Sequence, residues 1–221
     1  FDEKKIQELF SNSDMCINLI GILYESKKGN TFNNIHNIFP TLLAKLSKKY
    51  NFKIIEDASH AIGSKHYGES VGSCKWSDIT VFSFHPVKII TTGEGGASLT
   101  NNKMYYEKML QFRENGIIFD KKRFLKKNKY AGYYEQVSTG YNYRMNEISA
   151  VIGLEQLKKL DKINSKRIKN SKYLLSKLKK IDGKWFEAQD FNSNIKHTYF
   201  WCPIKIIDKK VNLDKVKKKL L

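Results

Sequence analysis

The sequence has few cysteines and no long apolar run, and these two absences exclude several classes of protein. The three cysteines, Cys16, Cys74 and Cys202, are odd in number and far apart, which fits neither a disulfide framework nor a zinc knuckle. No apolar stretch approaches the roughly 20 residues that a membrane-spanning helix needs. The N-terminal residues have no apolar segment behind their charges, so no signal peptide is visible. We therefore expect a cytoplasmic protein with reduced thiols and no membrane association.

Arginine is also scarce, although the chain is strongly basic. The net charge is +18, yet 36 of the 40 basic residues are lysines that are spread along the whole chain. Proteins that read nucleic acids favour arginine, because its planar fork binds bases and phosphates through two hydrogen bonds. A compositional bias therefore explains the charge better than a binding surface, and no nucleic-acid partner is expected. A basic module that binds polyanions is kept as an alternative hypothesis.

Strand-like and helix-like segments alternate along the chain, which is typical of an α/β fold. Short apolar runs predict four strands of a mostly parallel sheet, at residues 16–24, 52–55, 79–84 and 96–100. Helical patterns lie at residues 40–50, 102–113 and 146–180. Residues 116–143 are polar and aromatic without a clean period, which predicts a long loop. Residues 198–207 and 212–221 predict a strand and a helix of a second α/β unit.

Two charged residues come directly after predicted strands, where open α/β sheets place their ligands. Asp57 lies two residues after the strand at 52–55, and Lys88 lies four residues after the strand at 79–84. A carboxylate in this place can pair with a pyridinium nitrogen and keep the ring protonated. A lysine beside an apolar strand end can be desolvated enough to react with a carbonyl group. Taken singly, Asp57 is better explained as a cap of the following turn, and Lys88 as one more solvated surface lysine.

Two further motifs carry weaker signals. Residues 91–96 (TTGEGG) allow a tight turn and a close backbone approach, but they lack the spacing of a phosphate-binding loop. Residues 140–147 lead into a helix that Asn146 is expected to cap, so their polar side chains could reach a phosphate. The five histidines lack the paired spacing of zinc sites, so no metal site is predicted.

Taken together, these motifs resemble the DegT/DnrJ/EryC1/StrS family of sugar aminotransferases, which depend on pyridoxal phosphate. The resemblance rests on four stretches in the order of the family, at residues 56–64, 71–101, 113–116 and 140–161. The most specific part is SFHPVK followed by TTGEGG. The resemblance implies a type I, aspartate aminotransferase-like fold of the pyridoxal-phosphate-dependent transferases.

The resemblance also implies roles for matched positions. Lys88 would hold the cofactor covalently and then carry a proton between substrate and cofactor. Asp57 would pair with the pyridine nitrogen, and His60 would lie beside the phenolic oxygen of the ring. Ser83 would bind the cofactor phosphate. Asn142 would reach the phosphate bound by the partner subunit, which implies a homodimer with a shared active site.

The implied reaction is the transamination of a nucleotide-linked 4-keto-6-deoxy sugar, with glutamate as the amino donor. The motifs are most similar to members that aminate a UDP-linked 4-keto-6-deoxy-N-acetylhexosamine on the route to pseudaminic acid. Relatives that dehydrate sugars have histidine in place of the lysine, so Lys88 favours transamination. The resemblance relates Tyr141 and Arg144 only loosely to the substrate or the subunit interface, and places His197 and Tyr199 near the entrance for the nucleotide sugar.

Members of this family are longer than 221 residues. The resemblance therefore implies a fold that is incomplete at both ends. Residues 1–145 would be part of the large cofactor-binding domain without its N-terminal portion, 146–180 a connecting helix, and 181–221 the start of a small C-terminal domain. Residues 25–37 stand where the family has a short turn. We expect these residues alone to bind pyridoxal phosphate poorly, and an inactive fragment or remnant is a further alternative.

Overall fold

The computed structural model describes residues 2–11, 34–126, 130–181, 186–188, 194–207, 212, 214–215 and 218. The expected strand at 16–24, most of the stretch at 25–37 and most of the expected helix at 212–221 lie outside these residues. The chain divides into two units, one of residues 1–55 with 76–78 and one of residues 56–75 with 79–221.

The described residues form short strands and mostly longer helices. The strands are β1 (Ile55–Asp57), β2 (Lys65–His66), β3 (Glu69–Ser70), β4 (Ile79–Ser83), β5 (Gly96–Leu99), β6 (Ile117–Ile118), β7 (Glu135–Gln136), β8 (Phe186–Ala188), β9 (Ile195–Lys196) and β10 (Ile204–Ile206). The α-helices are α1 (Glu3–Ser11), α2 (Phe39–Tyr50), α3 (Lys103–Arg113), α4 (Glu147–Lys158) and α5 (Leu160–Ile181). A π-helical turn covers Asn34–Ile38, and a 3₁₀ turn covers Lys121–Arg123.

In the first unit, helix α2 begins where the sequence predicts it. Pro40 lies in its first turn, where the missing N–H group leaves no helical bond unmade. The apolar face of α2 is buried through Phe39, Leu42 and Leu46. Lys49 of this helix donates a hydrogen bond to the Gln7 side chain of α1 at 2.8 Å. The periodic leucines therefore form the core of this unit, as expected from their spacing.

The sheet that carries the site has the strand order β1-β4-β5. The N–H of Asp78 donates to the carbonyl of Ile54, and the N–H of Ala58 donates to that of Val81. Residue numbers therefore rise together along β1 and β4, which are parallel. Strands β4 and β5 are instead antiparallel. The chain between them turns back on itself, since Ser83 lies opposite Gly96 and the Phe84 N–H donates to the Gly95 carbonyl. The described sheet is thus partly rather than mostly parallel.

Strand β1 starts later than its apolar sequence predicts. The N–H of Ile54 donates to the Asp78 carboxylate at 2.9 Å, so it is unavailable to a strand ladder. The Phe52 ring stacks on Phe10, with 5.0 Å between the ring centroids. The residues ahead of β1 therefore make side-chain contacts within the first unit instead of extending the strand.

The segment predicted as a long loop contains an antiparallel pair. Strand β6 pairs with β7, with Ile117 opposite Gln136. The buried Glu135 carboxylate of β7 accepts hydrogen bonds from the backbone N–H groups of Leu125 and Lys126, which lie between the two strands. Strands of two residues show no periodicity, which is why the sequence indicated only a loop here.

The expected helix at 146–180 is two helices. Asn146 caps α4 as predicted, since its side-chain oxygen accepts from the Ser149 N–H at 2.9 Å. Lys159 ends α4, and its N–H donates to the carbonyl of Gln156 in a tighter last turn. The apolar face of α4 is exposed in the described residues, with Ile148 at 77% and Leu154 at 60%. Periodicity thus predicted the helix correctly but did not predict burial.

The strand expected at 198–207 is interrupted by a bend. Strand β9 pairs with β2, and β10 pairs with β8. Between them, Tyr199 has a positive φ of 51°, which a strand does not allow. The buried hydroxyl groups of Ser64 and Thr198 lie 2.9 Å apart and share a hydrogen bond. The bend therefore turns residues 198–201 towards the loop that follows β1.

No helix in the part of the chain that the structure describes is long and apolar enough to cross a membrane. No group of three or more histidine, cysteine, aspartate or glutamate side chains within the same residues could hold a metal ion. Cys74 and Cys202 are free thiols.

Two glycines test how tightly α5 packs on the loop after β1. Gly63 and Gly68 have almost the same left-handed φ, 79° and 80°. A Cβ on Gly63 would lie 2.2 Å from the Asn164 side-chain nitrogen, whereas nothing lies within 4 Å of one on Gly68. Both alanine substitutions should lose about 1 kcal/mol of unfolding free energy to the backbone. Gly63→Ala should lose about 1–3 kcal/mol more through overpacking. Equal losses in denaturant unfolding would contradict this packing.

Candidate active site

Lys88 is held at the end of β4 by a closed turn. The N–H of Phe84 donates to the carbonyl of Gly95 at 2.8 Å, which closes the chain between β4 and β5. Within this turn the Lys88 N–H donates to the His85 carbonyl at 2.9 Å. Ile89 and Ile90, which follow Lys88, are 6% and 2% exposed. The apolar anchor after Lys88 therefore fixes its backbone, while the side chain stays partly accessible.

The glycine-rich stretch after Lys88 makes the tight turn expected of it. The Thr91 hydroxyl donates to the Phe84 carbonyl at 2.9 Å, and the Thr92 hydroxyl donates to the Glu94 carbonyl at 2.8 Å. A Cβ on Gly96 would lie 2.7 Å from the carbonyl oxygen of Phe82. Gly96 thus allows β4 and β5 to approach closely, and this approach sets the base of the turn.

Lys88 and His60 meet across the strand ends. The Lys88 Nζ lies 2.8 Å from the Nε2 of His60. A charged ammonium group can only donate, so His60 Nε2 is then the acceptor. The structure therefore brings together two of the predicted site residues that lie in separate motifs of the sequence.

Asp57 is the last residue of β1, the strand next to β4. Its Oδ1 accepts hydrogen bonds from the N–H of Ser59 at 3.0 Å and from the Ser59 hydroxyl at 2.5 Å. The hydroxyl and then the N–H of Ser59 lower the pKa of Asp57, with smaller contributions from His60 and Lys88, while burial opposes them. Asp57 is therefore a carboxylate at neutral pH. Within the described residues no hydrogen bond engages its Oδ2, which leaves that oxygen for a ligand.

The protonation of His60 follows from its surroundings. Partial burial lowers the pKa of His60 below its usual range, and the Lys88 charge lowers it further. The Asp57 carboxylate acts in the opposite direction but is the smallest of the three effects. At neutral pH His60 is therefore a neutral ring that can accept a hydrogen bond.

The bend after β9 adds an aromatic cover that sequence reasoning missed. The Phe200 ring stacks on His60 with 4.1 Å between centroids and 10° between planes. Trp201 lies 5.4 Å from His60 in a tilted arrangement. The Lys88 Nζ is 5.4 Å from the centre of the Phe200 ring. Phe200 thus contacts both site residues, and the Phe-Trp pair beside Tyr199 was the signal available in the sequence.

The remaining predicted residues lie apart from this cluster or are only loosely engaged. Ser83 ends β4, and its hydroxyl accepts from the His85 N–H at 3.4 Å. The Asn142 side chain is exposed, and its backbone forms an isolated bridge with Glu114. No hydrogen bond within the described ranges joins Asn142 to Lys88 or His60. The cofactor roles expected of Ser83 and Asn142 therefore stay predictions.

Glu114 organises the segment around Asn142. Its carboxylate accepts from Arg144 at 3.0 Å and pairs with Arg113 at 2.8 Å. Burial tends to raise the pKa of Glu114, but the hydrogen bonds and charges of Arg144 and Arg113 outweigh it, so the pKa lies below its usual value. The rings of Tyr141 and Tyr143 stack at 4.9 Å. Arg144 and Tyr141 thus contribute to the local structure of this exposed loop, and their relation to the substrate or the subunit interface stays a prediction.

His197 and Tyr199, which were expected near a substrate entrance, contact each other. The Tyr199 N–H donates to the Nδ1 of His197 at 3.1 Å, and the two rings meet edge to face at 4.8 Å. Burial lowers the pKa of His197, so this ring is neutral at pH 7. The pair shapes the bend that carries Phe200, while its relation to a substrate stays a prediction.

The cluster as a whole joins a primary amine, a neutral imidazole and a fixed carboxylate at the ends of neighbouring parallel strands. An amine is a nucleophile towards carbonyl groups, and it can carry a proton when a neutral base accepts a hydrogen bond from it. A fixed carboxylate can hold a protonated ring nitrogen. The arrangement therefore suits chemistry on a carbonyl compound.

Comparisons with known proteins agree with this chemistry. The family model of the DegT/DnrJ/EryC1/StrS aminotransferases matches residues 41–221. The UDP-4-amino-4,6-dideoxy-N-acetyl-beta-L-altrosamine transaminase of Campylobacter jejuni strain 81-176 is 39% identical over 166 residues, which are 75% of this chain and 39% of that protein. The GDP-perosamine synthase of Escherichia coli O157:H7 is 35% identical over 162 residues, which are 73% and 40% of the two chains.

A solved structure shows the same fold. Helicobacter pylori PseC, an aminotransferase involved in the biosynthesis of pseudoaminic acid, superposes with a TM-score of 0.67 at 33% identity. The match covers 81% of this chain and 46% of that one, so the chain spans less than half the length of these relatives. The expected type I fold of the pyridoxal-phosphate-dependent transferases is confirmed. With the family model matching most of its length, the chain belongs to the DegT/DnrJ/EryC1/StrS aminotransferase family.

Proposed function

We propose that the protein transaminates a nucleotide-linked 4-keto-6-deoxy sugar with pyridoxal phosphate bound at Lys88. The single observation that supports this most is the 2.8 Å contact between Lys88 Nζ and His60 Nε2, beside Asp57. The names of the Campylobacter and Escherichia coli relatives point to amino groups on nucleotide-linked deoxy sugars. The similar PseC structure, whose enzyme is involved in the biosynthesis of pseudoaminic acid, supports a substrate on that biosynthetic route. Glutamate as the amino donor is part of the proposal.

The residues present fit pyridoxal phosphate. Asp57 is kept ionised by Ser59, and its Oδ2 is available to a pyridine nitrogen. Lys88 supplies the amine that reacts with an aldehyde. Ser83 lies at the end of β4, five positions before Lys88, where its hydroxyl can bind a phosphate oxygen. When bound, pyridoxal phosphate supplies the electron sink that makes a C–H bond next to the amino group acidic.

The residues of the chain divide the remaining work. Asp57 holds a positive charge on a ring nitrogen by its own negative charge. Lys88 is positioned to take a proton from one carbon and return it to another, because its Nζ can rotate on a flexible stem. His60, being neutral, accepts the hydrogen bond from Lys88 and holds the Nζ at the strand ends. Phe200 stacks on one face of His60 and so restricts the orientation of its ring.

Asn142 belongs to the proposal in a different way. Its side chain is exposed on a loop whose shape Glu114 fixes through two arginines. Tyr141 and Tyr143 flank it and are 51% and 69% exposed. An exposed, structurally fixed polar loop with aromatic neighbours suits a subunit interface. We therefore assign Asn142 to the phosphate site of a partner subunit in a homodimer.

Replacing Lys88 tests the proposal directly. In Lys88→Ala the visible absorption band of the bound cofactor should disappear, and transamination should fall by at least about 10²- to 10⁴-fold. Lys75→Ala is the matched control, since Lys75 pairs with Glu69 at 2.7 Å and lies outside the cluster. A band that persists in Lys88→Ala would show that another lysine holds the cofactor.

The charges around His60 make a prediction about its titration, which can be followed by NMR. Lys88→Met removes a charge that lowers the pKa of His60, so the pKa should rise. Asp57→Asn removes a charge that raises it, so the pKa should fall further. The signal of His60 among the five histidines is assigned from His60→Gln. Shifts of the same sign in both variants would contradict this arrangement of charges.

The shared site predicts complementation between inactive variants. Lys88→Ala and Asn142→Ala should each be inactive alone if each site takes Lys88 from one subunit and Asn142 from the other. After dissociation and reassociation of an equal mixture, half of the dimers are mixed and each has one intact site. Activity should therefore recover to about one quarter of the unmodified level. No recovery, with dimers shown by light scattering, would place both residues in the same subunit's site.

A further inference from the structure

Helix α5 carries two polar side chains that contact the segments on either side of the His60–Phe200 ring pair. Asn164 and Arg167 are three positions apart, so they lie on one face of the helix. Asn164, which is 1% exposed, donates to the carbonyl of Ile62 at 3.3 Å. One Arg167 nitrogen donates to the carbonyls of Tyr199 at 2.9 Å and Phe200 at 2.7 Å. A single turn of α5 therefore binds both the loop after His60 and the bend that carries Phe200.

These contacts converge on one ring pair. Ile62 follows His60 by two residues, and Phe200 stacks on His60 at 4.1 Å. The guanidinium carbon of Arg167 also lies 5.9 Å from the centre of the Phe200 ring. Arg167 thus contacts both the backbone and the ring of Phe200.

Stability alone is a poor explanation for this arginine. Its Nε is buried and makes no hydrogen bond within the described residues, and the same is true of the Asn164 side-chain oxygen. A buried polar atom without a partner costs about 1–3 kcal/mol. The cost of the unpaired Nε offsets part of what the two hydrogen bonds to the Tyr199 and Phe200 carbonyls contribute, so the arrangement favours a role in placing Phe200.

We propose that Arg167 is a positioning residue that acts through Phe200, holding the His60 ring in the plane from which it meets Lys88. This inference rests on the proposed function, because it gives His60 and Lys88 their roles there. Phe200 covers His60 and lies 5.4 Å from the Lys88 Nζ, so a displaced Phe200 alters both partners of the contact. The charged groups that face His60 in the described residues are Asp57 and Lys88, and neither is removed by changing Arg167.

The test measures the titration of His60 by NMR in the protein without added cofactor, so it does not depend on activity. Arg167→Met and Phe200→Leu should each raise the pKa of His60, because burial is the largest effect that lowers it. Phe200→Tyr keeps the stacked ring and should leave the titration unchanged. Arg123→Met is the control, because Arg123 pairs with Glu107 at 3.5 Å away from the cluster.

A double variant separates a role through Phe200 from a general loss of structure. In the Phe200→Leu background, Arg167→Met should move the His60 titration no further. A second, additive shift in the double variant would overturn the proposal. An unchanged His60 titration in Phe200→Leu would overturn it too, and this second outcome can be measured even if Arg167→Met does not fold. In the cofactor-bound enzyme, kcat should fall roughly 10- to 100-fold in Arg167→Met and Phe200→Leu but not in Phe200→Tyr. If the Lys88→Ala band persists, the proposed function fails while the His60 titrations still decide this inference.

Discussion

The closed turn between β4 and β5 is the constraint on which the geometry of the site depends. Phe84 and Gly95 join its two ends, and the buried Ile89 and Ile90 fill it. Backbone hydrogen bonds restrict the conformation of the connection between the two antiparallel strands. The Lys88 N–H donates to the His85 carbonyl before it, and the Thr92 N–H closes the segment after it by donating to the Phe84 carbonyl. The glycines matter here for close approach: at Gly96 a side chain would collide with the Phe82 carbonyl and push the strands apart.

The second layer of the site comes from a part of the chain that is distant in sequence. Helix α5 contacts the loop after β1 and the bend at 197–201 through hydrogen bonds to backbone carbonyls, whose positions do not depend on local side-chain identity. The buried Ser64–Thr198 pair ties the same bend to the loop after β1. The His60 ring is therefore positioned by contacts from distant parts of the chain: Phe200 stacks on the ring, and Asn164 binds the backbone two residues after it.

The sequence revealed the residues of the site better than their surroundings. Asp57, Lys88 and the turn at 91–96 became candidates because strand ends and glycine clusters leave local patterns, and the family resemblance then implied their roles. The helix starts near Pro40 and Asn146 were predicted correctly from local signals of the same kind. Phe200 and Arg167 were missed, because stacking across 140 residues leaves no spacing to read. The antiparallel direction of β5 depends on the turn that pairs Ser83 with Gly96, and the apolar pattern of the strand does not contain that information.

Burial has a larger effect on the pKa of His60 than either neighbouring charge. Lys88 lowers the pKa of the ring and Asp57 raises it, so the two charges partly cancel. What remains is the partial burial of a ring on which Phe200 stacks. When Lys88 loses its charge, burial still outweighs the Asp57 carboxylate, so the pKa of His60 stays below its usual value. With burial dominant, His60 stays an acceptor whichever form Lys88 takes, and the proton transfers proposed for Lys88 leave the state of its neighbour unchanged.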